Sequence, residues 1–255
     1  MTSCLVISGA AAGIGRAIAR RFSQQGWYVG LLDIDLPGVQ ALRTELGEDR
    51  CWAGQLDVTD RDAWDRALAD FAAAAPGPLE LLVNNAGVLD SGPFEDTSAA
   101  SHRRMIEINT LGVVHGCHAA HSYLRQASAP CVINLGSASA IYGQPALATY
   151  SASKFFVRGL SEALNLEWQD QGIRVLDIWP LFVKTAMVEG MRADSVERLG
   201  VKLSPEDVAA VVARAAASKS RKVHWTVGFE AGLFARLVRL APPALARLVV
   251  RHLAS

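Results

Sequence analysis

Residues 8–15 read SGAAAGIG, directly behind the apolar run CLVIS (4–8) and directly ahead of a helical pattern from about Ile14 to Gln25. A strand that passes through a glycine-rich turn into a helix opens a βαβ unit, and the same phrase recurs along the chain. YVGLLD (28–33) precedes a helical pattern near 37–46, and CWAGQLD (51–57) precedes one near 60–74. LELLVNN (79–85) leads through a loop into a long helical stretch ending near Tyr123. CVINLGS (131–137) leads into another helix, followed by IRVLDIW (173–179). Runs this continuously apolar fit strands covered on both faces, and their alternation with helices implies right-handed crossovers. The fold expected is a single α/β domain, a doubly wound parallel sheet of Rossmann type over residues 1–228, with an amphipathic helical segment over 229–255.

The 255 residues are 51% hydrophobic, enough to bury a sizeable core in one domain. Lysine plus arginine and aspartate plus glutamate number 25 each, which leaves no net charge to attract nucleic acid. Cys4, Cys51, Cys117 and Cys131 form no C-x-x-C pair and read as small buried residues. The first strand-like run begins at Cys4, leaving no room for a signal peptide, and nothing offers the ~18 consecutive apolar residues of a membrane span. The compartment expected is the cytoplasm.

In a parallel sheet, ligands bind at the carboxyl ends of the strands beside the topological switch point, where SGAAAGIG would lie. Gly9 permits a tight turn, Gly13 lets the backbone approach a pyrophosphate at the helix N-terminus, and Gly15 permits close helix–strand packing. The second strand ends in Asp33, about twenty residues on, where a carboxylate can accept hydrogen bonds from the adenosine ribose. It would repel a ribose 2′-phosphate, and neither Ala12 nor Ile34 supplies a cation to hold one. The pattern favours NAD over NADP.

YSASK places Tyr150 and Lys154 four apart on one helix face. A free tyrosine titrates near ~10, and a nearby ammonium is expected to favour the phenolate and bring that value down. Ser137, at the end of a strand, would sit at the same sheet edge and hydrogen-bond a substrate oxygen.

SGAAAGIG, LDVTD, NNAG (84–87), Asn109 in EINTLG, INLGS and YSASK stand in the order and spacing of the short-chain dehydrogenase/reductases, which the chain resembles over roughly residues 4 to 185. The resemblance implies a catalytic tetrad of Asn109, Ser137, Tyr150 and Lys154. Tyr150 would be the acid/base, Ser137 would position the substrate oxygen, Lys154 would tune Tyr150 and hold the nicotinamide ribose, and Asn109 would support a proton relay toward Lys154. It implies cofactor contacts from Gly9, Ala12, Gly13, Ile14, Gly15, Asp33, Ile34, Asp57, Val58, Asn85, Ala86, Gly87, Pro180, Val183 and Thr185. Substrate contacts would come from Ser137, Ser139, Tyr150, Met187 and Met191.

Two departures stand out. Pro180-Leu181 replaces the family's Pro-Gly, so that a leucine would narrow the wall beside the nicotinamide or shift its backbone. KVHWTVG (222–228) lacks the ending common in tetrameric members.

His115, His118 and His121 lie three apart on a helix but fan over about 120°, and no thiolate or carboxylate completes a metal site, so none is expected. Residues 182–203 match the position of the family's substrate lid, and their methionines suit either an oily ligand or packing of the lid helix. The tail carries Arg236, Arg239, Arg247 and Arg251 on one arc and Leu237, Val238, Leu245, Leu248 and Val249 opposite, if the register survives Pro242-Pro243. That pattern suits either packing on the domain or peripheral contact with an anionic membrane.

The function expected is NAD-dependent interconversion of a hydrophobic secondary alcohol and a ketone by a homodimer or homotetramer. The alternatives are an NADH-dependent carbonyl reductase and a non-catalytic dinucleotide-binding regulatory protein.

Overall fold

The apolar runs become the strands of one parallel sheet. The computed structural model describes residues 2–188, 191 and 200–240, so that most of the expected lid (189–190 and 192–199) and the tail from 241 lie outside the described residues. The strands are β1 (Cys4–Ser8), β2 (Tyr28–Asp33), β3 (Cys51–Gln55), β4 (Leu79–Asn84), β5 (Cys131–Leu135), β6 (Arg174–Trp179) and β7 (His224–Thr226), in the order β3-β2-β1-β4-β5-β6-β7. The order reverses between β1 and β4, which is the switch point.

Helices cover both faces. α1 (Gly13–Gln24), α2 (Leu36–Leu46) and α7 (Pro205–Ala217) pack on Leu5, Ile7, Leu31, Ile133 and Ile178. α3 (Arg61–Ala74), α5 (Gly112–Leu124) and α6 (Ala148–Glu167) pack on Val6, Leu32, Leu82, Val132 and Val175. This two-sided cover is why the strands carry no polar alternation. The sheet needs a glycine at Gly30, where a Cβ would lie 2.7 Å from the Phe71 ring.

The long helix expected before Tyr123 is interrupted. α4 (Ala99–Ile106) passes into one π-helical turn, Glu107–Leu111, before α5 begins. α8 (Phe229–Leu240) follows β7.

A polar line crosses the buried interior from sheet to helix. Asn84 Nδ2 donates to Asn134 Oδ1 (2.9 Å), and Asn134 Nδ2 donates to Ser161 Oγ (3.0 Å). These bonds engage the Asn84 N–H donors and the Asn134 amide, leaving Asn84 Oδ1 without a partner among the described residues, and they fix α6, which carries Tyr150 and Lys154, against β4 and β5.

Candidate active site

At the carboxyl edge of the sheet, β1 turns into α1 beneath the end of β4. Gly9 holds φ at 69°, and a Cβ there would fall 2.8 Å from Ala86 Cα; Gly13 holds φ at 51°. Asn85 Nδ2 donates to Ser8 O (3.0 Å) and Gly9 O (2.9 Å), while Ser8 Oγ accepts from the backbone N–H of Asn85 and Ala86. The two strand ends are thus stitched together on either side of the switch point.

The start of α1 differs from that of α3 and α7. Asp60 caps α3, and Ser204 with Asp207 forms a capping box on α7. Before α1 stands Ala12, extended at φ −146° and ψ 172°, with no side-chain cap and no acid in the first turn. Its first N–H groups and the positive end of its dipole are left for an anion, and the residues present fit a pyrophosphate.

Asp33 holds the turn from the other side. Its Oδ2 accepts from Ala11 N–H (2.9 Å) and its Oδ1 from Asp35 N–H (3.1 Å), leaving lone pairs for ribose hydroxyls. Ile34 beside it is 64% exposed at the rim.

A cavity of about 560 Å³ runs along this edge. Gly9, Ala12, Gly13, Ile14, Asp33, Ile34, Asp57, Val58, Asn85, Ala86, Gly87, Pro180, Val183 and Thr185 all line it, as do Ser137, Ser139, Tyr150, Lys154, Met187 and Met191. Two expected residues do not. Gly15 lies behind the wall: a Cβ there would collide with the Gly9 carbonyl, so its part is to let α1 start this close to β1. Asn109 is fully buried in the π-turn, its Oδ1 accepting from Val88 N–H and its Nδ2 donating to Val88 O, both at 2.8 Å, and to Ser153 Oγ. Its side chain clamps the strand exit beside Gly87, where a Cβ would lie 3.3 Å from Asn109 Oδ1 and 3.8 Å from Lys154 Nζ.

Tyr150 and Ser137 share a hydrogen bond, and burial, acting against that bond, pushes the phenol up to about 12. Burial also brings the Lys154 ammonium down to about 8. The expected lowering of Tyr150 by Lys154 is therefore absent. Nζ sits 5.5 Å from the centre of the Tyr150 ring and donates to Leu135 O (2.8 Å), where desolvation outweighs its attraction for a phenolate.

Sequence reading missed Gln144. Its Oε1 accepts from Ser139 Oγ (3.2 Å), its Nε2 donates to Tyr142 Oη (2.8 Å), and Ser139 Oγ meets Ser137 Oγ (3.2 Å). A buried hydroxyl–amide chain thus reaches Ser137 within a wall that also carries Val88, Leu89, Ile108 and Leu181. The only signal was a glutamine in the loop between Ser137 and Tyr150. Leu181 lines the cavity without a left-handed backbone, so the missing glycine requires no strain there.

The three helical histidines part ways. His115 meets Val58 O, His118 meets Arg61, and His121 meets Gln171.

A family model described as short chain dehydrogenase matches residues 3–196. The chain is 34% identical over 216 residues to a 3-alpha-(or 20-beta)-hydroxysteroid dehydrogenase of Mycobacterium bovis, covering 84% of this chain and 82% of that one. It is 35% identical over 215 residues to a meso-2,3-butanediol dehydrogenase of Serratia marcescens, covering 82% and 85%. A crystal structure of a short-chain dehydrogenase/reductase from Burkholderia phymatum in complex with NAD superposes with a TM-score of 0.82 at 25% identity, covering 92% of each chain.

Proposed function

Because the chain belongs to the short-chain dehydrogenase/reductase family and is an oxidoreductase interconverting secondary alcohols and ketones, we propose that it acts on a hydrophobic substrate, with NAD as hydride carrier and Tyr150 as acid/base. A nicotinamide dinucleotide is the cofactor; the preference for NAD over NADP rests on Asp33 with no cation at Ala12 or Ile34. The dinucleotide, when bound, accepts or supplies the hydride.

The remaining work falls to the chain. The uncapped start of α1 and Gly13 hold the pyrophosphate, Asp33 holds the adenosine ribose, and Lys154 and Thr185 hold the nicotinamide half. Ser137 donates to the substrate oxygen. Tyr150 takes the proton from that oxygen when the alcohol is oxidised and returns it when the ketone is reduced. Lys154, with Nζ 5.5 Å from the centre of the Tyr150 ring, is the cation that favours the phenolate when Tyr150 gives up its proton.

The observation that carries this reading is the convergence of Ser137, Tyr150 and Lys154 on a cavity whose other wall is the glycine turn. The family and the dehydrogenase relatives remove the non-catalytic alternative.

The experiment is a panel of hydrophobic secondary alcohols and ketones with NAD and NADH. Tyr150→Phe is expected to keep NADH affinity while turnover falls about 10²–10⁴-fold, the range for a lost acid/base. Near-normal turnover by that variant would refute the assignment.

We also assign the chain to the cytoplasm as a homo-oligomer, and we read the amphipathic segment 229–255 first as one that packs on the domain or on a second subunit, with peripheral contact to an anionic membrane as the second reading. Leu233 and Leu237, one turn apart on α8, are 47% and 57% exposed, and among the described residues no helix is long and apolar enough to cross a membrane. Full-length protein that fails to float with anionic liposomes at low salt would remove the membrane contact.

A further inference from the structure

Five side chains from α6, β6 and β7 meet behind the cavity wall, and none of them lines the cavity: Arg158, Glu162, Asp177, Trp179 and His224. Arg158 and Glu162 lie one and two turns beyond Lys154 on α6. His224 Nδ1 lies 2.7 Å from Asp177 Oδ1, and its Nε2 lies 2.8 Å from Glu162 Oε1. With both carboxylates ionised, an imidazole bonded to both donates from both nitrogens and carries a positive charge; burial raises the Asp177 carboxyl, and the hydrogen bond and charge of His224 oppose that rise. Glu162 Oε1 also accepts from Arg158 Nε (3.1 Å). The Trp179 ring takes both cations: His224 stacks on it at 4.6 Å between centroids and 25° between planes, and the Arg158 guanidinium lies 5.2 Å from its centre. Asp177 is fully buried, and its Oδ2 makes no hydrogen bond. His224, by its hydrogen bond and its charge, opposes the burial of that carboxylate most, with the Trp179 indole N–H and the Arg158 charge behind it.

The cluster grips the Ser137 segment on both sides. The Trp179 indole closes over Gly136, where a Cβ would lie 2.8 Å from Cδ1. Arg158 donates to Ala140 O (3.3 Å), and the Pro180 carbonyl next to Trp179 accepts from Ala138 N–H (2.9 Å). Ser137 therefore sits between two points whose placement depends on Trp179 and Arg158.

We propose that His224 is a positioning residue for Ser137: its charged form locks Asp177, Glu162, Arg158 and Trp179 into the arrangement that holds residues 136–140, and loss of its proton loosens that hold. The proposal rests on the reading of Ser137 as the residue that holds the substrate oxygen. The groups facing His224 are Glu162 and, through it, Arg158 from α6, and Asp177 from β6. On its own strand side, Lys222 lies with Nζ 4.6 Å over the Trp225 ring and is lowered by burial and by Arg214 and Arg236. Burial pulls the His224 proton off, but the hydrogen bonds and charges of Asp177 and Glu162 prevail, so the group titrates above its ordinary value. The sign follows: the lock is closed at and below neutrality, and it opens as pH rises through the raised His224 value.

The test has one arm that needs no turnover. In isotope-labelled full-length protein, the His224 ring nitrogens and the backbone amides of Gly136, Ser137, Ala138 and Ala140 are followed by NMR from pH 5.5 to 9. The expected result is a shared midpoint above ~6.5, the unperturbed histidine value, in the wild type and no such transition of these amides in His224→Gln. In the second arm, cyclohexanol oxidation with NAD is expected to lose three- to tenfold in kcat in His224→Gln. NADH affinity stays unchanged, and the wild-type fall in kcat over that midpoint vanishes. Glu162→Gln, on the outer side of the cluster, should lower the midpoint and keep the coupling, which guards against a misfolded His224 variant. Amides of 136–140 indifferent to the His224 midpoint would overturn the proposal. Undiminished turnover by Ser137→Ala would instead overturn the reading on which it rests, so the two failures are separable.

Discussion

Lys154 is only 6% exposed, and among the described residues its ammonium has one hydrogen-bond acceptor, the Leu135 carbonyl. With its titration brought down to about 8 in the folded chain and near ~10.4 when unfolded, the folded state holds fewer protons between those values. Stability therefore rises with pH through that window, and the cost of burying the charge is fully present below it. Lys154→Met should be inactive yet more stable than wild type by about 1–2 kcal/mol at pH 7, after the lost bond to Leu135 is counted. The gap should close toward pH 10. Urea melts at pH 7, 9 and 10 measure it, and a pH-independent gap would show that the ammonium is not under strain. At the other end of the cavity, Asp33 predicts tighter NADH than NADPH binding, with Asp33→Ser plus Ile34→Arg reversing the order. Fluorescence titration decides this, and equal or stronger NADPH binding by wild type would sink the NAD assignment. Sequence showed where Tyr150 and Lys154 meet but reversed the sense of their electrostatics, because burial has no local signature in YSASK.

The bare start of α1 illustrates a conflict between folding and binding within one element. A capping carboxylate at position 12 would satisfy N–H groups and is worth about 1 kcal/mol, or roughly 2–4 °C in Tm for a chain of this size. The same carboxylate would stand where the pyrophosphate is to be held. Ala12→Asp should therefore melt higher and bind NADH at least tenfold more weakly; calorimetry and titration of one preparation test both, and stronger binding would refute the anion role. The elements themselves were largely legible. β1, β2 and β6 fall within or at most one residue from their apolar runs, since a doubly covered strand must be apolar throughout. The π-turn was not legible, because the Val88 backbone that Asn109 clamps lies 21 residues earlier in the chain. The Asp177–His224 pair was hidden likewise, its partners 47 residues apart.

Across the whole molecule, Ile106, Leu111, Phe155, Phe156 and Leu166 are exposed on the α4–α5 helical run and on α6, and each is at least 39% accessible. This apolar surface supports the homo-oligomer, so Phe155→Asp with Phe156→Lys should shift sedimentation to a monomer while NADH binding persists. A wild type that sediments as a monomer at micromolar concentration would remove the assembly. The position of β1 between β2 and β4 has a consequence for biosynthesis. β2 and β3 leave the ribosome soon after β1 and cover one of its edges, but the other edge waits for Leu79–Asn84. At about 5–20 residues per second, the roughly 70 residues between Ser8 and Leu79 take on the order of 4–14 s to synthesise. For that interval the nascent chain presents the unpaired edge of CLVIS, its most apolar strand end, to any other extended chain nearby. The strand that feeds the dinucleotide turn is thus one that needs shielding at the tunnel exit.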